Sequence, residues 1–306
     1  MGENEKGLLM MDNQRRLLDR RRFIACGAAA AAMPTLLSGR SASADGAPWQ
    51  MRLSTSSIHF KGLPIEQACE RISALGFEAI DIWSPHQKCP HLDDCLDRLG
   101  PDGLKNVLAR NNLKLYSFSV YAGGYLKYAE LLGKVGGGVA IHGSAKACKP
   151  DELTAQMRQL MERLKPEMEL CEKYNSYVAI ENHGNALLDS LDSFKAFVDL
   201  NTSPRLGVAL APFHLQRINA SVPEAIRICG KQLFFFYAWQ LGKGVEQLPD
   251  HGPTDFTPWI KSLAEIGYPW YVNPFMHQEP PPDEMSAALA KSRDYLKECY
   301  AKAVAR

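Results

Sequence analysis

From Met51 onward the sequence predicts an α/β protein of the (β/α)8 TIM-barrel class, a single domain behind an N-terminal export segment. Short apolar, β-branched runs alternate with segments whose apolar residues recur at helical spacing. Eight such pairs follow one another, more than an open doubly wound sheet ordinarily uses. No Gly-rich phosphate loop of the G-x-G-x-x-G or G-x-x-x-x-G-K type interrupts them.

Taken in order, "MRLSTSS" reads as a strand, and "LPIEQACERISALG" as its helix. That helix carries Ile65, Ala68, Cys69, Ile72 and Leu75 on one face and stops at Gly76. "FEAIDIW" is the second strand and "PDGLKNVLARNN" the second helix; "LKLYSFSVY" and "YLKYAELLGKVG" form the third pair. "GGVAIH" leads into the long amphipathic helix "DELTAQMRQLMERLKPEMELCEKY". "SYVAIEN" precedes the helix through "LDSFKAFVDL", and "RLGVALA" precedes a short one at "VPEAIRICG". "QLFFFYAW" with "TPWIKSLAEIG", then "PWYVNPF" with "PDEMSAALAKSRDYLKECYAKA", close the series.

The N-terminus reads differently. Arg20-Arg21-Arg22-Phe23-Ile24 resembles the twin-arginine export motif, with Asp19 where Ser or Thr is usual. An Ala-rich run up to Pro34 and the small residues of "SASA" follow, the order of a signal peptide cleaved after Ala44. Residues 1–44 are therefore expected to be removed and the remaining chain to be periplasmic. The run is too short and too rich in alanine for a retained spanning helix, so no stable membrane insertion is expected. Seven cysteines remain after cleavage, an odd number without a CxxC pair, which argues against a disulfide framework. A formal net charge of +1 provides no field to draw nucleic acid or anionic lipid.

In a parallel barrel the active site forms at the C-terminal ends of the strands. All eight histidines follow predicted strands: His59 the first, His86 and His91 the second, His142 the fourth, His183 the fifth, His214 the sixth, His251 the seventh and His277 the eighth. Glu181 ends the fifth strand, where a buried carboxylate needs a partner. Taken singly, each histidine is an ordinary loop residue; together they mark the rim as the site.

"AIENHG" on the fifth strand, "APFHL" after the sixth and "EIGYPWYV" into the eighth resemble the xylose isomerase-like barrel superfamily, in particular its sugar phosphate isomerase/epimerase branch. The resemblance spans residues 51–300. It implies one divalent metal held by Glu, Asp, His and Glu at the ends of the fifth to eighth strands, with carboxylates moving a proton beside a carbonyl. Glu181 matches the first ligand. The sixth-strand D-x-x-H becomes Ala211-Pro212-Phe213-His214, so its aspartate is missing. The seventh strand offers Tyr237, Trp239 and Gln240 in place of histidine, and the eighth offers Asn273, with His277 and Glu279 further along. A rearranged site of Glu181 with His142, His86 or His91 would suit Zn, Mn, Fe or Co.

Without metal, Glu181, His183 and His214 are the expected acid–base residues, with Glu279 a further candidate. Trp83, Tyr121, Trp239, Gln240 and His277 are the expected substrate-binding residues, aromatic faces being suited to sugar rings. Only Lys146 and Arg217 are candidates for a phosphate, which favours an unphosphorylated carbohydrate. The expected activity is isomerisation or epimerisation of a sugar or keto-sugar. The alternatives are a lyase that eliminates a group from an oxidised glycoside, and a non-catalytic sugar-binding protein.

Overall fold

The computed structural model describes residues 49–305, so the expected export segment lies outside the described residues. Eight parallel strands close into a barrel in chain order: β1 (Arg52–Ser56), β2 (Ala79–Trp83), β3 (Lys114–Ser119), β4 (Val139–Gly143), β5 (Tyr177–Glu181), β6 (Leu206–Leu210), β7 (Leu233–Ala238) and β8 (Tyr271–Pro274). β8 pairs back onto β1 through Arg52–Tyr271 and Leu53–Val272. Every strand falls within its predicted run, shortened by a residue or two at the ends, except that β4 extends one residue further, to Gly143.

The connecting helices are α1 (Ile65–Ala74), α2 (His91–Asp94), α3 (Gly100–Arg110), α4 (Gly124–Val135), α5 (Leu153–Tyr174), α6 (Leu191–Leu200), α7 (Pro212–Arg217), α8 (Val222–Cys229), α9 (Thr257–Glu265) and α10 (Pro282–Val304). Two of these differ from expectation. "HLDDCLDRL" is helical rather than a loop, because Leu92, Cys95 and Leu99 recur at helical spacing and pack inward between its acids. "PFHLQR" forms α7 directly after β6, which lifts His214 onto a short helix at the rim.

Alternation along the strands creates two layers. Ile80, Ile82, Ala140, Val178, Ile180, Val208, Leu210 and Phe236 face outward and join the helices in one apolar cluster. Ala79, Trp83, Val139, Ile141, Ala179, Ala209, Phe235 and Tyr237 face inward and form another. The N-terminal end of the barrel is plugged by aromatic rings. Tyr116 stacks on Phe235 with centroids 4.8 Å apart, and its hydroxyl donates to the Phe234 carbonyl at 2.6 Å. The C-terminal end keeps the polar groups.

The plug depends on Gly207 in β6. A Cβ at that position would lie 2.5 Å from the Gln232 carbonyl oxygen and 2.6 Å from the Phe234 ring. Gly207→Ala is therefore expected to lower unfolding stability by about 1–3 kcal/mol through overpacking. Urea unfolding followed by circular dichroism measures this, and an unchanged midpoint would contradict the close approach.

Candidate active site

Glu181 is the last residue of β5 and shares the inward parity of Ala179. Its side chain stands at the C-terminal mouth, and the residue is only 8% exposed. Burial pushes its carboxyl up to about 7; a hydrogen bond from Tyr121 opposes this and the nearby Asp81 adds to it. The Tyr121 hydroxyl donates to Glu181 Oε2 at 2.6 Å and lies 3.0 Å from the Tyr237 hydroxyl. Burial keeps both phenols well above their ordinary pKa, so they stay protonated.

Below this group sits a second acid that the sequence reading missed. Asp81 lies in the middle of β2, fully buried and facing inward. Ser56 and the Trp83 indole N–H donate to its Oδ2 at 2.8 and 2.6 Å. Ser117 donates to Oδ1 at 2.9 Å, and Ser119 lies 3.0 Å from both oxygens. Asn273, the eighth-strand residue, is fixed between Ser54 and Ser56 at 2.9 and 3.0 Å. The signal was an acid at an inward position of the otherwise apolar "AIDIW".

Aromatic rings wall the mouth. Trp83 stacks on Phe275 at 5.3 Å and meets Tyr121 at 5.1 Å, with Phe213 stacked on Trp239 at 4.4 Å on another side. Gln247, also unanticipated, holds two of the expected substrate-binding residues. Its Oε1 accepts from the Trp239 indole at 2.8 Å, and its amide donates to the His277 carbonyl at 2.9 Å. His277 then packs edge-on against Trp83 and Trp239. Lys61 pairs with the buried Glu279 at 2.7 Å.

His183 and His214 come together, with ring centroids 4.1 Å apart. His214 is 5% exposed, and neither ring nitrogen has a hydrogen-bond partner. Burial, with His183, Arg217 and His277 adding to it, lowers its pKa to about 3, so the imidazole is neutral. His59, by contrast, is structural: its Nε2 accepts from the Met276 N–H at 3.3 Å while Nδ1 lies 3.0 Å from the Thr55 hydroxyl.

Several expected site residues are engaged elsewhere. His142 follows the inward Ile141 and so faces outward, where its Nε2 lies 3.0 Å from Glu167 of α5. His91 starts α2 and contacts the Leu63 carbonyl at 2.8 Å. Gln240 is fully buried and holds the loop after β7, donating to the Leu248 carbonyl at 2.7 Å and accepting from the Thr254 N–H at 2.9 Å. Of the expected metal set, only His86 stays at the mouth with Glu181, its ring 5.6 Å from that of Tyr121. Strand parity and helix contacts therefore separate His142 and His91 from Glu181 and His86.

A divalent metal at the family position fits poorly. Among the described residues no group of three or more His, Cys, Asp or Glu side chains is arranged to hold an ion. At the inward positions of β5 to β8 stand one carboxyl already bonded to a phenol, then Ala211 at the end of β6, Tyr237 and Asn273. Neutral phenols and an amide are weak ligands for Zn, Mn, Fe or Co.

Asp81 makes stability depend on pH. Burial raises its carboxyl from 3.8 to about 6 despite hydrogen bonds from Ser56, Ser117, Ser119 and Trp83. Because the folded pKa is raised, its contribution is fully present below about pH 4 and is lost as pH rises through about 6. Asp81→Asn should remove this loss. The stability difference between wild type and variant is expected to shift by at most about 3 kcal/mol across the window, with wild type relatively favoured at the acid end. Urea unfolding from pH 4 to 8 measures it, and parallel curves would contradict an uncompensated buried acid.

Among solved structures, a 3-keto-D-glucoside 4-epimerase from E. coli shares the fold, with TM-score 0.62 and 14% identity over 80% of this chain and 100% of that one. A probable 3-DHS dehydratase from Bacillus anthracis aligns with TM-score 0.64 and 15% identity over 80% and 99%. The IOLI protein, solved with a bound zinc atom, aligns with TM-score 0.64 and 15% identity over 84% and 100%. No curated protein matches the chain by sequence. The model of the xylose isomerase-like TIM barrel family matches residues 69–299, spanning nearly all of the closed barrel and its rim. The chain belongs to the xylose isomerase-like TIM barrel family.

Proposed function

We propose that this protein is a carbohydrate-modifying enzyme that moves a proton beside the carbonyl of an unphosphorylated sugar or keto-sugar, as an isomerase or epimerase. The observation that carries the proposal is Glu181: a buried carboxyl at the barrel mouth, bonded to Tyr121, whose pKa of about 7 lets it gain and lose a proton near neutrality. The stacked faces of Trp83, Phe275, Phe213 and Trp239 suit the apolar faces of a sugar ring. Lys61 is held by Glu279 rather than free for an anion, which favours a substrate without phosphate. A fold shared with a 3-keto-D-glucoside 4-epimerase supports the same chemistry.

A second reading is a lyase acting on an oxidised glycoside. The unpartnered imidazole of His214 favours it, being a second group near the mouth whose N–H can donate a hydrogen bond to a leaving oxygen as the neighbouring proton is removed. The fold shared with a probable dehydratase is consistent with elimination.

Incubation of the protein with unphosphorylated keto-sugars in deuterated water, followed by proton NMR, tests the first reading. Loss of the signal beside the carbonyl is expected, slowed at least about a hundredfold in Glu181→Gln. Release of an aglycone with an unsaturated product would establish the lyase instead. Saturable binding without exchange would leave a sugar-binding protein, and exchange confined to sugar phosphates would overturn the substrate class.

Export to the periplasm is part of the proposal, supported by the arginine motif and "SASA". N-terminal sequencing of the exported protein should begin near Asp45. Retention of residues 20–44 in the mature protein would contradict it.

A further inference from the structure

Glu181 stands at the family's first metal position, yet the groups around it form a hydrogen-bonded chain of oxygens. We propose that this barrel works without a metal ion, and that the hydroxyls of Tyr121 and Tyr237 stabilise the oxyanion formed when a keto-sugar is enolised. The proposal rests on the proton-transfer reading above and specifies how the negative charge is held.

Three oxygens lie in sequence: Glu181 Oε2, the Tyr121 hydroxyl at 2.6 Å, and the Tyr237 hydroxyl a further 3.0 Å on. Tyr237 is at an inward position of β7, and Tyr121 lies just beyond β3. Three other polar side chains of these strands and their ends are occupied. Asp81 accepts from three serines and Trp83, Asn273 is fixed between Ser54 and Ser56, and Asn182 clamps the Ala211 backbone through bonds of 2.7 and 3.1 Å. An incoming cation would meet one carboxylate and two protonated phenols, with His86 the only member of the expected histidine ligands nearby. An incoming carbonyl would meet two phenols in a dry setting, whose hydrogens are held in the chain to Glu181 while it is ionised and become available as it takes up a proton.

The hydrogen-bond order also couples donor to base. With Glu181 ionised, Tyr237 donates to Tyr121 and Tyr121 donates to the carboxylate. Glu181 then takes a proton from the carbon beside the substrate carbonyl. The C–H electron pair becomes the new C=C bond, and the carbonyl π pair moves onto oxygen. The newly formed carboxylic acid can now donate to the Tyr121 oxygen, which frees the Tyr121 hydrogen to turn toward the oxyanion. Return of the proton to the same carbon, after the intermediate has turned its other face to the acid, completes epimerisation. Return to the neighbouring carbon, with that carbon's hydroxyl proton passing to the former carbonyl oxygen, completes isomerisation. No oxidant or co-reactant is needed.

Two measurements on the full chain test the proposal. Chelator-treated protein is titrated calorimetrically with manganese, cobalt and zinc chlorides, beside Glu181→Gln. Identical heats from the two proteins are expected; stoichiometric binding that Glu181→Gln abolishes would overturn metal independence. Deuterium exchange into the responsive keto-sugar is then measured with and without EDTA, and in Tyr121→Phe and Tyr237→Phe. EDTA should change the rate less than about twofold, and each phenylalanine variant should lower kcat about a hundredfold, the typical loss of one oxyanion donor. KM and thermal midpoint should stay close to wild type, a split that a merely structural tyrosine would not produce. Unchanged kcat in both variants would overturn the oxyanion assignment. If no sugar exchanges at all, the proton-transfer reading fails, while the metal titration still decides metal independence.

Discussion

Two carboxyl groups inside a closed barrel, neither paired with a cation, set the terms for the rest of the site. A buried carboxylate costs several kcal/mol unless hydrogen bonds replace its water. Asp81 is supplied by hydroxyls from β1 and β3 and by the indole of its own strand. Glu181 is supplied by a phenol from the loop after β3, itself linked to β7. The serines of "LSTSS" and "YSFS" are consequences of that need, since small hydroxyls fit inward positions that larger polar groups would overfill. Where the carboxyls remain only partly compensated, their pKa values rise toward neutrality, which gives a structural network the means to handle protons.

The same network organises the aromatic mouth. Asp81 orients Trp83, which stacks on Phe275; Gln247 orients Trp239, which stacks on Phe213 and meets His277 edge-on. The walls are therefore held by hydrogen bonds from behind as well as by contact with one another. Preorganised faces of this kind bind a ring with little loss of side-chain entropy. Tyr121 joins the buried acid to the aromatic wall, since it bonds Glu181 and packs against Trp83.

Within the family, this member keeps the barrel and the first carboxyl and changes the groups around them. Ala211, Tyr237 and Asn273 stand where the resemblance led to an expectation of aspartate, histidine and glutamate. A neutral phenol is a weaker ligand than an imidazole for a divalent ion; in the proposed arrangement it serves instead as a donor to a developing oxyanion. The fold allows such a change, because the strand ends supply position and leave the chemistry to the side chains.

The fold was legible in the sequence because periodicity is a local property. The alternation of "SYVAI"-type runs with amphipathic helices identifies strands and helices without long-range information, and eight such units leave few topologies. Glu181 was legible for the same reason, as an acid closing an apolar run. The partners of Glu181 and the direction of each histidine were decided only by the tertiary structure. His142 lies one residue from the inward register of its strand and turns to Glu167, while Tyr121 and Tyr237 meet from strands far apart in the chain. Strand parity and barrel closure fix those meetings, and both act over distances that no local pattern of residues encodes.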